Sequence, residues 1–202
     1  MSRRTLASVA LLVAAVLLVN WNIVFTNQFS LASDQETVRQ AYSWFTYWLH
    51  SVRCGQFPLW DPYTFSGHSA AGEMQTAVFY PFRLLLLFIG TNRHGLLPAQ
   101  GYSLLLVLDH VLSAVFMFAL AREWRLSYFS SLISGLCFAL NTFLAAIRWP
   151  HIIESCIWLP LILLFAIRAL RAPTRKTALV YSVFSGLCLG LSILAGGSTS
   201  YL

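Results

Sequence analysis

Charged side chains are what this chain lacks. Asp, Glu, Lys and Arg make up 10% of its 202 residues, against roughly 25% in a soluble domain whose surface must be solvated. Too few polar groups are present to cover a core of this size, which excludes an ordinary water-soluble globule. Cysteine is scarce too. Cys54, Cys137, Cys156 and Cys188 follow no zinc-ligand spacing, and three of them lie within apolar runs. That argues for packing and against a disulfide framework. Acids number 7 against 13 Lys and Arg, yet the excess forms no basic stripe on a soluble module. Nucleic acid is therefore not an expected partner.

Apolar and aromatic residues fill the space. The chain is 58% hydrophobic and 15% aromatic, with 7 Trp and 8 Tyr. In lipid, segments this apolar satisfy their backbone groups as helices, while Trp and Tyr favour the interfaces. The expected fold is an all-α integral membrane protein, a multi-span helical bundle.

Hydropathy predicts spans at Thr5–Phe25, Gln100–Ala121, Ser127–Ile147, Ile152–Ile167 and Ala178–Ala195. The first apolar core, about 20 residues, exceeds the roughly 7–15 of a signal peptide, although Ser30-Leu31-Ala32 offers a cleavage-like site. It reads as an uncleaved anchor. Val78–Gly90 is too short to cross about 30 Å of hydrocarbon and is expected to dip into the interface. With five spans, Arg3, Arg4, Arg122, Arg125, Arg168, Arg171, Arg175 and Lys176 fall on the cytoplasmic side with Glu123 as the only acid, as the positive-inside rule requires. Residues 1–27 then form the first span. Residues 28–99 form a long loop outside the cytoplasm, and 100–202 carry spans two to five. The chain stops at Tyr201-Leu202, directly after its last span, and is expected to be the N-terminal piece of a longer protein.

The loop is the informative part. Between Glu36 and Arg53, Val38, Tyr42, Phe45, Trp48, Leu49 and Val52 alternate with polar residues in the pattern of an amphipathic helix on the membrane surface. Gly55, Pro58, Pro62, Gly67 and Gly72 predict an irregular, turn-rich continuation. On the last span Ser182, Gly186 and Gly190 form a small-residue face suited to close helix packing.

Several groups can carry chemistry. Asp34 and Glu36 follow the first span, where they can act as a general base or hold a divalent cation such as Mg or Mn. Ser33 and Glu36 also fit a capping box. Asp109 and His110 lie mid-span, pointing about 100° apart on a helix; Asp109 is either structural or functional. His151 and Glu154 share a helix face at i, i+3, close enough for a mutual hydrogen bond. Trp60, Tyr63, Phe65, Phe79 and Tyr80 suit either a sugar-stacking surface or an interfacial belt.

The run Gly55-Gln56-Phe57-Pro58-Leu59-Trp60-Asp61-Pro62-Tyr63-Thr64-Phe65-Ser66-Gly67-His68, continuing through Gln75 to Tyr80-Pro81, resembles the first outer loop of bacterial YfhO-like membrane proteins. That family belongs with the GT-C class of glycosyltransferases. An acid soon after the first span and a Pro-interrupted later span, at Pro160, extend the resemblance over most of the chain. The resemblance implies a GT-C-type bundle with a long first extracytoplasmic loop in the bacterial inner membrane. Its implied activity is transfer of a sugar from a polyprenyl-phosphate donor to an envelope polymer, lipid or protein acceptor. Asp34 occupies the position of the catalytic base, with Glu36 beside it. Arg39, Arg53, Trp60, Asp61, Tyr63, His68, Gln75, Tyr80, His151 and Glu154 are the candidate substrate-binding residues. Arg39, Arg53, Arg83 and Arg148 are the cations available to the leaving phosphate. Two departures stand out. Ser69 occupies a frequent Pro position, and Ala195-Gly196-Gly197-Ser198-Thr199 replaces a more usual Ala-Gly-His-Pro-Gln. The competing readings are a transporter or flippase of lipid or polysaccharide, and a non-catalytic membrane assembly protein.

Overall fold

The computed structural model describes residues 3–26, 29–32, 35, 37–93, 95–141 and 149–197. Asp34, Glu36, Ser33 and Arg148 lie outside the described residues. Helices α1 (Arg3–Val19) and α2 (Trp21–Phe25) lead into a π-helical turn, Thr37–Ala41, and α3 (Tyr42–Arg53). A two-stranded ribbon follows, β1 (Trp60–Asp61) with β2 (His68–Ser69), and then short 3₁₀ helices at Met74–Thr76 and Pro81–Phe88. The remainder is helical: α4 (Ala99–Glu123), α5 (Tyr128–Ala139), α6 (Pro150–Cys156), α7 (Leu159–Leu170) and α8 (Arg175–Leu194).

Among the described residues three helices are long and apolar enough to cross a membrane: Ala99–Glu123, Pro150–Leu170 and Arg175–Leu194. The second is α6 and α7 joined across Ile157-Trp158. Pro160 sits in the first turn of α7, where its missing N–H costs least but prevents an unbroken ladder with α6. The expected first span is interrupted. Asn20 turns its side chain back to the Val16 carbonyl (2.9 Å) with backbone outside the helical range, so α1 ends at 17 residues. The 3₁₀ helix Pro81–Phe88 rises about 2.0 Å per residue, about 16 Å in all, far short of about 30 Å.

Helix ends sort into two groups. At one end Thr5 Oγ1 meets Tyr128 Oη at 3.4 Å, Arg122 lies over the Tyr128 ring, and Arg168 pairs with Glu123 at 2.7 Å. Arg122 and Arg168 thus share an end with the start of α1. At the other end the segment between α2 and α4 folds into a cap. Leu31 N–H donates to Ser103 Oγ (2.9 Å), the Tyr42 hydroxyl donates to the Leu97 carbonyl, and Trp48 Nε1–H donates to the Val78 carbonyl (3.0 Å).

The apolar face of α3 is spent on protein. Phe45, Trp48 and Leu49 are buried in one cluster with Tyr80, Leu86, Tyr102, Leu106, Ile153 and Trp158. The surface helix expected from periodicity exists as a helix, but its apolar stripe meets the cap and bundle; Val38 alone of that set is largely exposed.

Glycine placement also departs from expectation. A Cβ on Gly186 or Gly190 would meet nothing within 4 Å, so the small-residue face of α8 packs on nothing within the described chain. That helix is instead tied inward by Ser192 Oγ to the Ser155 carbonyl (2.8 Å) and Ser185 Oγ to the Ile162 carbonyl (3.0 Å). The close helix approach belongs to Gly135 on α5, where a Cβ would lie 2.7 Å from the Ala114 carbonyl oxygen and 3.3 Å from Leu12 Cδ2. Gly135→Val is expected to destabilise the bundle by about 1–3 kcal/mol through overpacking. Gly186→Ala, in an open helix interior, should instead stabilise by about 0.5–1 kcal/mol. Thermal unfolding in detergent compares them, and equal shifts would contradict this packing.

Candidate functional site

The 3₁₀ helix that starts at Pro81 aligns residues three apart. Tyr80, Arg83 and Leu86 accordingly form one buried row, exposed by 1%, 2% and 0%. An arginine at such depth needs a partner. It has one in Glu154 of α6, with Arg83 Nη1 donating to Glu154 Oε1 at 2.7 Å. The guanidinium also lies 3.5 Å from the Phe45 ring centroid, so one side chain joins the cap, α3 and the bundle. Asp109 of α4 is buried and interacts electrostatically with both Glu154 and Arg83. Glu154 Oε2 is buried with no hydrogen-bond partner among the described residues.

Tyr80 completes the cluster. Its hydroxyl accepts from Trp158 Nε1–H at 3.1 Å, and its ring stacks on Phe82. Burial, followed by the negative charges of Glu154 and Asp109, pushes its phenol above the ordinary range, against the opposing effects of the Trp158 bond and Arg83. The hydroxyl therefore stays protonated. The aromatic surface expected to include Tyr80 is therefore a different one. Tyr80 is core, whereas Trp60, Tyr63, Phe65 and Phe79 are exposed.

Phe79 stacks on Phe57, while Trp60, Tyr63 and Phe65 belong to a second arrangement, the motif turn. β1 pairs antiparallel with β2, Asp61 facing His68. Buried Asp61 holds the intervening loop together. Its Oδ1 accepts from Tyr63 N–H (2.8 Å) and its Oδ2 from Thr64 Oγ1 (2.7 Å), and Thr64 Oγ1 lies 2.9 Å from His68 Nδ1. Gly67 adopts φ +100° beneath the Trp60 indole, where a Cβ would lie 3.0 Å from Cζ2. Only glycine meets both demands. Beside this turn a cleft of about 480 Å³ opens against the polar face of α3.

Other expected residues scatter. Arg39 is exposed on the π-helical turn and does not line the cleft. Arg53 donates to the Ile89 carbonyl at 2.7 Å, tying the end of α3 to the end of the 3₁₀ helix. Arg83, expected as a cation for phosphate, is buried and committed to Glu154. Glu154 in turn bonds Arg83 rather than His151. His151 stands edge-on to Trp149 and, like Gln75, packs against Gly196. A Cβ on Gly196 would lie 3.1 Å from His151 Cβ and 3.2 Å from Gln75 Cα, and one on Gly197 only 2.1 Å from Ser155 Oγ. The glycines of that altered motif thus fill a space too tight for a side chain. His110, as expected, turns away from Asp109 and sits 2.7 Å from the Leu106 carbonyl through Nδ1.

The Arg83–Glu154–Asp109 grouping was missed from sequence, although an arginine inside the apolar run Phe82–Phe88 was its signal. Among the described residues no three His, Cys, Asp or Glu side chains converge as a cation site, the acid-rich donor set that Mg or Mn needs. No family model, curated protein or solved structure matches the chain.

Proposed function

We propose that this chain belongs to a membrane glycosyltransferase that moves a sugar from a polyprenyl-phosphate donor to a cell-envelope acceptor outside the cytoplasm. The observation that carries this reading is the ordered cap. The Gly55–His68 motif is folded around buried Asp61 at the helix ends opposite Arg122 and Arg168. A cap there stands where a lipid-borne donor and a water-side acceptor meet. Five spans with a cytoplasmic N-terminus fit this arrangement, since the basic ends then face the cytoplasm.

In the proposed reaction the acceptor hydroxyl oxygen bonds to the anomeric carbon while that carbon's bond to phosphate oxygen breaks. The hydroxyl proton passes to a carboxylate, Asp34 in this reading, and the phosphate leaves with the bonding pair. The buried Arg83–Glu154 pair holds the cap in register and does not touch the reacting atoms.

The test uses the full-length protein in liposomes containing a labelled polyprenyl-phosphate sugar and an extracted envelope fraction. Label is expected to move to the acceptor. Substituted cysteines at Ser66 and Thr174 should label from opposite sides. Passage of the donor across the bilayer without transfer would replace this reading with a flippase.

A further inference from the structure

We infer that the cleft between α3 and the Asp61 turn binds a neutral saccharide, and, resting on the transferase reading, that this saccharide belongs to the acceptor rather than to the phosphate-bearing donor. The cleft exists because α3 has two working faces. Phe45, Trp48 and Leu49 enter the core, which leaves Tyr42, Ser43, Thr46, Tyr47 and His50 along the opposite side, facing Asp61, Tyr63 and Thr64. Its volume, about 480 Å³, falls within the roughly 300–1,000 Å³ of small-molecule sites.

The walls are fixed before any ligand arrives. Tyr47 Oη donates to the Trp60 carbonyl at 2.5 Å and Tyr42 Oη to the Leu97 carbonyl. Both rings are thereby held as apolar surfaces with their hydroxyls already used. Tyr63, 79% exposed, stands edge-on to Tyr47 with centroids 6.2 Å apart. Ring faces beside hydroxyl, imidazole and carboxylate groups suit a sugar, whose C–H faces are apolar and whose rim is hydroxyl.

Charge selects among ligands. Among the described lining residues Asp61 is the one carboxylate, and neither Lys nor Arg is present. A phosphate would meet an anion with no cation to offset it. A neutral glycan hydroxyl instead finds an acceptor, because each Asp61 oxygen retains a lone pair beyond its single internal bond. Thr46 supplies an independent observation. Its Oγ1 is buried without a hydrogen-bond partner, yet the residue lines this cleft. That oxygen is itself closed to solvent, so a bound hydroxyl meets it through a turn of Thr46 about χ1, which relieves an unmade bond that is otherwise unfavourable.

The experiment uses full-length protein in nanodiscs and three probes. These are a soluble panel of lactose, maltose and N-acetylglucosamine; a neutral glycolipid embedded in the disc; and inorganic pyrophosphate. Saturation-transfer NMR reads contact, and thermal unfolding checks the fold. At least one neutral glycan is expected to bind, with Tyr63→Ala and Thr46→Val each weakening it about five- to tenfold while the unfolding temperature holds. Preference for the soluble or the embedded glycan identifies the acceptor as water-borne or lipid-borne. Thr46→Val is the sharper variant, since a purely structural hydroxyl without a partner would be replaced at no loss. Absence of neutral-glycan contact, indifference to both variants, or pyrophosphate binding that the same variants weaken overturns the inference. Sugar transfer with an unchanged acceptor KM in both variants also overturns it, while leaving the transferase reading intact. Glycan binding sensitive to both variants in a protein without transferase activity supports the saccharide site and removes the transferase reading instead.

Discussion

Arg83→Leu is expected to destabilise the protein by about 3–5 kcal/mol, the range for breaking a buried ion pair from one side. The loss arises from what remains behind. Glu154 would keep its carboxylate 4% exposed with neither oxygen hydrogen-bonded, since Oε2 already has no partner among the described residues and Oε1 has only Arg83. Asp109 would lose the same cation, and Phe45 the guanidinium above its ring. Replacing both members, Arg83→Leu with Glu154→Leu, should recover most of the loss, because apolar packing substitutes well for a buried pair. Thermal unfolding of the two single variants and the double variant measures the coupling. Cap detachment should appear as faster proteolysis near Gly55, an exposed turn. A single variant as stable as wild type would remove Arg83 as the link between cap and bundle.

Asp34→Asn is expected to lower sugar transfer about 10²–10⁴-fold, the usual contribution of general-base assistance, with donor binding retained. The amide keeps the shape and most hydrogen bonding of the carboxylate but cannot take the acceptor's proton, so chemistry separates from folding. Asp34 is favoured by its place in the chain, following the first apolar segment and ahead of the Gly55–His68 motif. Glu36→Gln is the internal control. As a capping residue it should cost only about 1 kcal/mol of stability; a larger loss of transfer there than at Asp34 would move the base two residues along. Wild-type transfer by Asp34→Asn would refute the assignment.

Composition and pattern alone determined the helical class, the presence of helices apolar enough to cross a membrane and the turn-rich motif loop, because each follows from local rules. Low charge and long apolar runs favour helices in lipid, and Gly55, Pro62 and Gly67 favour turns. The shortness of Val78–Gly90 was legible in the same way, as a count of residues against a membrane thickness. Pairings across the chain were not legible. Arg83 and Glu154 are 71 residues apart, and nothing local prefers Glu154 to His151 as a neighbour. The 3₁₀ winding that aligns Tyr80 with Arg83 has a period of three, invisible to a search for periods of 3.6 or 2. The two glycine faces differ for the same reason. Gly135 and Gly186 sit in identical Ser-Gly-Leu-Cys strings, Ser134–Cys137 and Ser185–Cys188, yet one meets a neighbouring backbone and the other open space. Hydropathy names the residues that leave water, but only the folded chain decides which burial is shared with lipid, which with a helix, and which with an opposite charge.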